Sequence, residues 1–506
     1  MLSEYNNILI DKEEGNIIDK EIKLSLNINQ INLSKTTDKK VQFLKILFST
    51  ILLIFIILLF SFFLISKFLN STNTKILSSK KFISLTSNKT SNIIKLTYNC
   101  KDPKIPVKLF DNSSDIISQI KSIKIGAKIE KITDYFTFGF SGKYKVTISL
   151  KNKLTSIKNL FSGCGQLFIA DFSEFISDEI NDMSGLFEGC LRLKYIEFGN
   201  FNTQKVINME NLFNGCKSLS EFNLSNFDTS NVKYMNGMFS GCEEIYNLDL
   251  NNFNTKNVLR MDSMFSGCEY LYNLTISKFN TSNVQNISKM FNKCSQISSL
   301  NISSFDTSKV VNMEYIFNKC ESLTSLDLSK WDTSSVTSFS NMFNGCTKLT
   351  NILMNNFDTS NAIYMDNMFL RCLNLTQLNV NHFKTSKVIT MENMFNGCEM
   401  LTSLDISNFD TSNVVNMYGM FCSDFSLRKL NLSNFKTKKV ENMDFIFNNN
   451  MMMSSLDIRN FDTINVDSKR NFFNGVPSKG KIFLNFDKIS NGILKQLPKG
   501  WEIIEI

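Results

Sequence analysis

The sequence is poor in the residues from which common enzyme sites are built. Its 506 residues contain one histidine, His382, and only four prolines. It has no Gly-rich phosphate loop, no HExxH motif and no Ser/His/Asp or Cys/His combination that would activate a nucleophile. The sequence therefore predicts a protein that is not an enzyme, with no catalytic residue, no cofactor and no metal ligand.

Concentrated charge is also missing. The net charge of +8 is spread along the whole chain, and no block of Lys and Arg gathers it. A dedicated nucleic-acid binder carries a basic patch or stripe, so nucleic acid is not a predicted partner. What the chain has in unusual amount is Phe, with 46 residues, and Met, with 22.

One long apolar run determines the predicted compartment. Residues 46–66, ILFSTILLIFIILLFSFFLIS, contain no charged residue. Twenty-one such residues match the ~30 Å thickness of a bilayer core when they form a helix. The run begins too far from the N-terminus for a cleaved signal peptide, so it predicts one uncleaved transmembrane helix in the plasma membrane.

The orientation of this span is not decided by flanking charge, because four lysines precede it and four come after it. A lone early anchor usually exports the chain on its C-terminal side, which predicts an extracellular C-terminal part. Candidate N-glycosylation triplets also fall mostly after the span. They are Asn70, Asn88, Asn112, Asn223, Asn273, Asn280, Asn286, Asn301, Asn374 and Asn431.

Self-similarity gives the strongest signal in the chain. A phenylalanine recurs every 26 residues without one insertion, from Phe161 through Phe317 to Phe473. A second aromatic residue keeps the same period from Phe201 to Phe461, and a threonine follows it two residues later in eleven copies. A constant period of this length indicates stacked coils, because a globular core would tolerate loop insertions.

Each unit reads as a short strand followed by a short helix. The segment SLTSLDLS, residues 322–329, alternates apolar and polar residues as a half-buried strand does. In TSKVVNMEYIFNKC, residues 307–320, Val310, Met313, Ile316 and Phe317 stand at helical spacing, Thr307 or Ser308 is a candidate N-cap, and most units have Gly before the Cys as a C-terminal stop. The fold prediction is an α/β repeat, a leucine-rich-repeat solenoid of about 13 coils.

The unit LxxLDLSxFDTSxVxxMxxMFxGCxx resembles the BspA-like leucine-rich repeats of surface proteins, and the resemblance covers about residues 160–475. It implies a solenoid with a β-rich lead-in that caps the first coil. The predicted domains are a disordered cytoplasmic tail (1–45), the transmembrane helix (46–66), a stalk (67–99), a β-rich N-terminal cap (100–160), the solenoid (161–475) and a C-terminal cap (476–506).

The cysteines form a column with the same period, ten residues from Cys164 to Cys398. Neighbouring coils hold Cβ atoms ~4.8 Å apart with parallel vectors, farther than a disulfide prefers. Metal ligands must converge on one point, which a straight column does not do. Buried thiols are therefore predicted. Partners of Cys100 and Cys422 are not assigned by the sequence.

The FDT motif combines a variable residue with a constant one. Its Asp becomes Lys at Lys384 and Lys436, so it is not a calcium ligand. The Thr is constant in all eleven copies. Its hydroxyl is predicted to bond backbone at each turn, a structural role.

The outward positions of the strands form the candidate ligand face. They carry a column of Asp and Asn that would bind protein or glycan, or would only be solvated. These residues are Asn223, Asp249, Asn301, Asp327, Asn379, Asp405, Asn431 and Asp457. The resemblance implies a cell-surface adhesin or recognition protein, whose extracellular protein or glycan ligand the sequence does not name. The alternatives are a single-pass receptor that signals through its short tail, and an intracellular membrane-bound scaffold.

Overall fold

The computed structural model describes residues 92–112, 115–151 and 154–506. The predicted tail, the apolar run 46–66 and most of the predicted stalk lie outside these residues. No helix among the described residues has the length and apolarity that a membrane crossing requires. The predicted transmembrane helix falls on residues 46–66 and so lies outside the described part of the chain.

The N-terminal part is a mainly antiparallel sheet that leads into the repeats. Its elements are β1 (Ile93–Cys100), β2 (Val107–Lys108), a 3₁₀ helix (Asp115–Gln119), β3 (Ile120–Ile125), β4 (Lys128–Glu130), β5 (Tyr135–Phe136) and β6 (Gly142–Leu150). The strand β1 begins inside the segment whose composition predicted a stalk. It pairs antiparallel with β6 on one side and with the first solenoid strand on the other. This contact covers an edge that would otherwise be open.

The solenoid has short parallel strands on one side, where the alternating pattern predicted them. They are β7 (Leu167–Asp171), β8 (Tyr195–Glu197), β9 (Glu221–Phe222), β10 (Asn247–Asp249), β11 (Asn273–Thr275), β12 (Ser325–Asp327), β13 (Asn351–Leu353), β14 (Lys429–Asn431) and β15 (Ser455–Asp457). We call the surface formed by the outward residues of these strands and of the equivalent segments the strand face. Pairing along it is interrupted, because β9, β10–β11, β12–β13 and β14–β15 belong to separate sheets.

A second ladder runs without interruption along another side of the coils. Thirteen residues spaced by 26, from Ser156 to Ser468, are joined by twelve parallel bridges. We call this surface the bridge face. These thirteen residues, one in each coil, span twelve turns of chain, and the architecture is a β-solenoid.

The predicted helix in each coil is wrong. In the example coil, Tyr315 and Lys319 donate their N–H groups to carbonyls of the next coil, at 3.0 and 2.7 Å. Between them, Ile316 and Asn318 donate to carbonyls three residues earlier in their own coil, at 3.3 and 3.1 Å. The segment is thus a series of tight turns in which every second N–H donates a hydrogen bond to a carbonyl of the next coil. Among the described residues the one α-helix is α1 (Asn491–Leu494), near the C-terminus.

Backbone conformation explains why no helix forms. Two residues in each coil, four positions apart, have φ between 51° and 76°. An L-residue in this left-handed region interrupts a right-handed helix. The first set is Asn159, Gly185, Asn211, Gly237, Ser263, Lys289, Tyr315, Asn341, Asn367, Asn393, Gly419, Phe445 and Asn471. The second set contains the glycines that the sequence predicted as left-handed stops, together with Lys293, Lys319, Arg371, Ser423 and Asn449.

The constant threonine joins each coil to the next. The Thr411 hydroxyl donates to the carbonyl of Lys436 at 3.0 Å and accepts from the N–H of the same residue at 2.8 Å. The side chain is fully buried. The other threonines of the column, from Thr203 to Thr463, donate to the equivalent carbonyl. The predicted bond to backbone is confirmed, although it spans two coils and caps no helix.

The core is a set of stacked side-chain columns. Successive rings of the first phenylalanine column are nearly parallel, for example Phe291 and Phe317 at 5.8 Å between centroids and 2° between planes. Rings of the second aromatic column stack in the same way, as do Phe305 and Trp331 at 6.3 Å. Each stacked pair contributes ~0.5–1.5 kcal/mol beyond the area that it buries. Val310, Met313 and Ile316 are also fully buried, so the apolar spacing marks core positions correctly.

The C-terminal end of the solenoid is covered by two longer strands and by the side chain of Trp501. The strands β16 (Gly480–Leu484) and β17 (Trp501–Glu505) continue the parallel sheet from β15. The Trp501 ring lies 6.4 Å from the ring of Phe473, the last member of the phenylalanine column, and covers it. Its indole N–H donates to the carbonyl of Pro477 at 2.7 Å.

We predict that Thr411→Val lowers the free energy of unfolding by about 1–3 kcal/mol, because it removes a buried hydroxyl that bonds to both the carbonyl and the N–H of Lys436. The measurement is urea unfolding followed by circular dichroism. The matched control is Thr402→Val on the exposed strand face, which should change stability by less than about 0.5 kcal/mol. Equal effects from the two substitutions would contradict the role of this column.

We predict that Lys319→Gly stabilises the chain by about 0.5–1 kcal/mol, because Lys319 has φ of 57° and glycine takes this conformation without strain. The reciprocal change Gly345→Lys, at φ of 74° one coil later, should destabilise it. The midpoint of urea unfolding measures both. Destabilisation by Lys319→Gly would indicate that the segment is helical in solution.

Candidate functional site

The predicted ligand-face residues lie together on the strand face. Seven of the eight side chains are exposed, and Asp457 is half-buried. Consecutive coils place them in one column along the stack. The structure therefore brings together the residues that the sequence predicted as a candidate ligand face.

Most of these side chains also have a structural task. The Asp327 carboxylate accepts from the N–H of Ser329, two residues further on, at 2.9 Å. The same turn occurs at Asn223, Asp249, Asn301, Asp405, Asn431 and Asp457, at 2.9–3.3 Å. In this turn the side-chain Oδ1 accepts the backbone hydrogen bond that ends the strand. The remaining oxygen or nitrogen of the same side chain is therefore held in a fixed direction.

These turns lower the pKa of two carboxylates of the strand face. Hydrogen bonds from the hydroxyl and N–H of Ser329 lower the pKa of Asp327, and those from Ser407 lower the pKa of Asp405. The strand face therefore carries negative charge at Asp327 and Asp405 at neutral pH, with uncharged Asn residues at other positions of the column.

The FDT corner is built by the same kind of turn. Asp306 accepts from the N–H of Ser308 at 3.0 Å. Where the motif carries lysine, the ammonium group approaches the Asp of the preceding coil, at 4.0 Å for Lys384–Asp358 and 3.9 Å for Lys436–Asp410. Because this corner forms with either Asp or Lys at the same position, the residue there has a structural role. Among the described residues, no cluster of three or more His, Cys, Asp or Glu side chains could hold a metal ion.

The single histidine also has a structural contact. His382 occupies a position that holds Asn in several other coils, and its Nε2 lies 3.1 Å from the carbonyl of Met354 in the preceding coil. Asn408, one coil later, donates to the carbonyl of Asn381 at 2.8 Å. His382 therefore substitutes for an inter-coil asparagine.

The candidate glycosylation residues are divided between described and other parts of the chain. Asn70 and Asn88 lie outside the described residues. The remaining eight lie within them, where Asn286 is half-buried and the other seven are exposed: Asn112, Asn223, Asn273, Asn280, Asn301, Asn374 and Asn431. Attachment of glycans at these residues stays a prediction.

The cysteine column is buried, as the sequence predicted. Cys320 Sγ donates to the carbonyl of Phe291, 29 residues earlier, at 3.1 Å, and eight other thiols of the column make the equivalent bond. All ten are buried free thiols, and Cys100 is also buried. Burial raises the pKa of Cys320 well above its ordinary value. Such thiols are poor nucleophiles and act as small core residues.

An acidic residue follows in the same column. Asp424 takes the position 26 residues after Cys398 and is fully buried. Its Oδ1 accepts from the N–H of Cys398 at 2.9 Å, and its Oδ2 has no hydrogen bond among the described residues. Asn450, one coil later, donates from its side chain to the carbonyl of Phe421 at 2.7 Å, as the thiols of the column do to the equivalent carbonyls. Burial raises the pKa of Asp424 well above its ordinary value.

Two features of the strand face were not predicted. Tyr246, Tyr270 and Tyr272 form an exposed aromatic group, and a cleft of about 410 Å³ opens between β9 and β10. The tyrosines could have been found by aligning the 26-residue units, because most other units have Ser or Thr where Tyr246 and Tyr272 stand. The cleft could not have been found from the sequence, because the alternation of apolar and polar residues predicts a strand but does not predict whether that strand pairs with the strand of the next coil.

The fold and this surface define a leucine-rich-repeat β-solenoid. The chain belongs to the family described as "Mycoplasma protein of unknown function, DUF285", which matches residues 155–273, 270–378, 319–421 and 365–483. A BspA type leucine rich repeat region also matches residues 103–205. The predicted resemblance to BspA-like repeats is confirmed. A search of curated proteins gives no match.

Several solved structures show partial likeness. A TLR13–ssRNA13 complex is 14% identical, with 70% of this chain and 60% of that chain covered and a TM-score of 0.22. A TDR receptor is 13% identical, with coverage of 65% and 64% and a TM-score of 0.22. The functional domain of InlJ from Listeria monocytogenes, described as including a cysteine ladder, is 14% identical, with coverage of 62% and 73% and a TM-score of 0.16. TM-scores this low do not indicate a shared overall shape.

We predict that Asp424→Cys stabilises the chain increasingly as pH rises. The unfolded chain releases the Asp424 proton near pH ~3.9, whereas the folded chain retains it to higher pH. The contribution of the protonated carboxyl is therefore fully present below about pH 4 and is lost at up to ~1.4 kcal/mol per pH unit as pH rises toward the folded pKa. Urea midpoints of both proteins at pH 5 and pH 8 measure this difference.

The control for this prediction is Asp405→Asn, whose carboxylate is exposed and has a lowered pKa. It should not gain stability between pH 5 and pH 8. If the advantage of Asp424→Cys over the unsubstituted chain is the same at both pH values, the buried carboxyl is not protonated in the folded state.

Proposed function

We propose that this protein is a non-enzymatic cell-surface recognition protein, an adhesin, whose strand face binds an extracellular ligand. The observation that supports it is the contrast between the two sets of side chains in each coil. The inward columns are nearly constant and fully buried, whereas the outward strand positions are exposed and polar and differ from coil to coil. Such a surface supplies many weak contacts on one rigid support, and their effects combine through proximity.

Display outside the cell belongs to the same proposal. It is supported by the uncharged stretch 46–66 of the sequence and by the surface location of the proteins that the BspA-like unit resembles. A plasma-membrane location with the repeats outside places the strand face where neighbouring cells or matrix can reach it.

We predict that protease treatment of intact producing cells removes the repeats, as detected by an antibody against residues 161–475. The control is an antibody against a known cytoplasmic protein, whose signal must persist. Protection of the repeats until the cells are permeabilised would refute display and would favour an intracellular scaffold.

The binding face is tested by adhesion of the same cells to a cell monolayer. Thr376→Arg on the strand face should reduce adhesion, because a bulky charge interrupts the contact surface. Thr337→Arg on the bridge face is the matched control and should leave adhesion unchanged. A response lost on deletion of residues 1–45, with adhesion kept, would identify a signalling receptor instead.

A further inference from the structure

The cleft between β9 and β10 arises where the strand ladder is interrupted. These two strands are not hydrogen-bonded neighbours, although β10 and β11 pair in register through Asn247↔Asn273. Across the gap, the Asn252 side chain donates to the carbonyl of Leu224 at 2.9 Å. The resulting cleft of about 410 Å³ is within the range of small-ligand sites.

Three polar side chains lining this cleft are oriented by hydrogen bonds and keep one atom unused. Asn223 and Asp249 each accept, through Oδ1, a hydrogen bond from the backbone N–H two residues further on, at 2.9 and 3.0 Å. The Oδ1 atom of Asn247 accepts from the side-chain amide of Asn273 at 2.6 Å. These bonds use only the Oδ1 atom of each side chain, which leaves the Nδ2 atoms of Asn223 and Asn247 and the Oδ2 atom of Asp249 without a hydrogen bond to the described residues. The cleft thus offers two amide donors and a carboxylate acceptor in fixed directions.

An exposed aromatic group begins one residue before Asn247, outside the residues that line the cleft. Tyr246 directly precedes Asn247, and its ring lies 6.1 Å from that of Tyr270 and 6.3 Å from that of Tyr272. Their exposed fractions are 48%, 46% and 48%. Ser220 occupies the position equivalent to Tyr246 in the preceding coil and is too small to cover its ring.

The fold does not require aromatic residues here. Seven other units carry Ser or Thr at the position of Tyr246 and Tyr272, and two carry Lys or Arg: Ser220, Ser298, Thr324, Thr350, Thr376, Thr402 and Ser454, with Lys194 and Arg428. Three half-exposed rings therefore add apolar surface to water without filling the core. Their exposure close in sequence to the unused amide and carboxylate atoms suits contact with a ligand.

We propose that this cleft and the adjoining tyrosines form a binding subsite for a neutral glycan. Amide and carboxylate groups in fixed directions suit the adjacent hydroxyls of a sugar, which both donate and accept. Aromatic rings pack against the apolar C–H face of the sugar ring. The inference rests on the proposed function, because it names the ligand class of the strand face.

Two other ligand classes fit this cleft less well. No lysine, arginine or histidine is among the residues that line it, so nothing there attracts an anionic polymer. A peptide that binds by strand addition would have to enter between the unpaired edges of β9 and β10, and the Asn252–Leu224 hydrogen bond of 2.9 Å holds their coils too close together for another strand.

The test applies the purified full-length chain, produced in a bacterial host that attaches no N-glycans, to an array of oligosaccharides. The array carries neutral chains ending in glucose, galactose, mannose or N-acetylglucosamine, with sialylated and sulfated chains for comparison. The chain should bind at least one neutral class. Calorimetric titration with that oligosaccharide should show roughly tenfold or greater loss of affinity in Tyr246→Ser and in Asn247→Ala, equal to the loss of one aromatic or hydrogen-bonding contact.

The matched control is Tyr364→Ser, which removes an exposed tyrosine from the bridge face and should leave the affinity unchanged. Tyr246→Ser reproduces the residue of the preceding coil and should retain the circular dichroism spectrum of the unsubstituted chain. Absence of neutral-glycan binding by the folded chain, preference for acidic chains, or equal affinity in all variants would each overturn the subsite.

Failure of the subsite and failure of the proposed function give different results. If cells that produce Tyr246→Ser adhere as well as before and the purified chain binds no neutral glycan, the glycan subsite is wrong and surface recognition stands. If the repeats are protected from protease on intact cells, surface recognition fails whatever the array shows.

Discussion

Hydrogen bonding between coils is the interaction on which the rest of the structure depends. Every second N–H along the bridge-face segment is donated to the next coil, and the N–H groups between them close turns within their own coil. This arrangement requires each coil to repeat the backbone conformation of its neighbour, including both left-handed positions. One inserted residue would shift every later donor away from its acceptor, which explains a period of 26 without exceptions.

The side-chain columns result from this stacking. Once backbones are in register, identical residues meet identical residues, so rings stack, thiols meet the same carbonyl and each threonine hydroxyl reaches the next coil. The interior is therefore built by repetition. The outward strand positions are free of this requirement except for the turn oxygen of Asp and Asn, and there the coils differ from one another.

The sequence predicts the columns better than the chain path. Phe317 and Cys320 are buried as their spacing predicts, and the alternation around Leu326 marks a strand. The helix prediction failed because Val310, Met313 and Ile316 have the spacing of a helical face. Two left-handed turns bury the same residues, and the choice between these paths depends on bonds to the next coil. The aspartates of the candidate ligand face were found from the pattern, whereas the cleft beside Tyr246 depends on pairing between coils.

The two ends of the stack differ from its middle: the antiparallel strand β1 covers one edge, and Trp501 covers the last phenylalanine at the other. Any whole number of 26-residue units can be gained or lost between these ends with every donor still meeting an acceptor. Gene duplication and deletion can therefore change the reach of the protein in steps of ~4.8 Å per coil without creating a new fold. The repeat is a unit of length as well as of structure, and a population of such chains could vary in span while keeping the same ends.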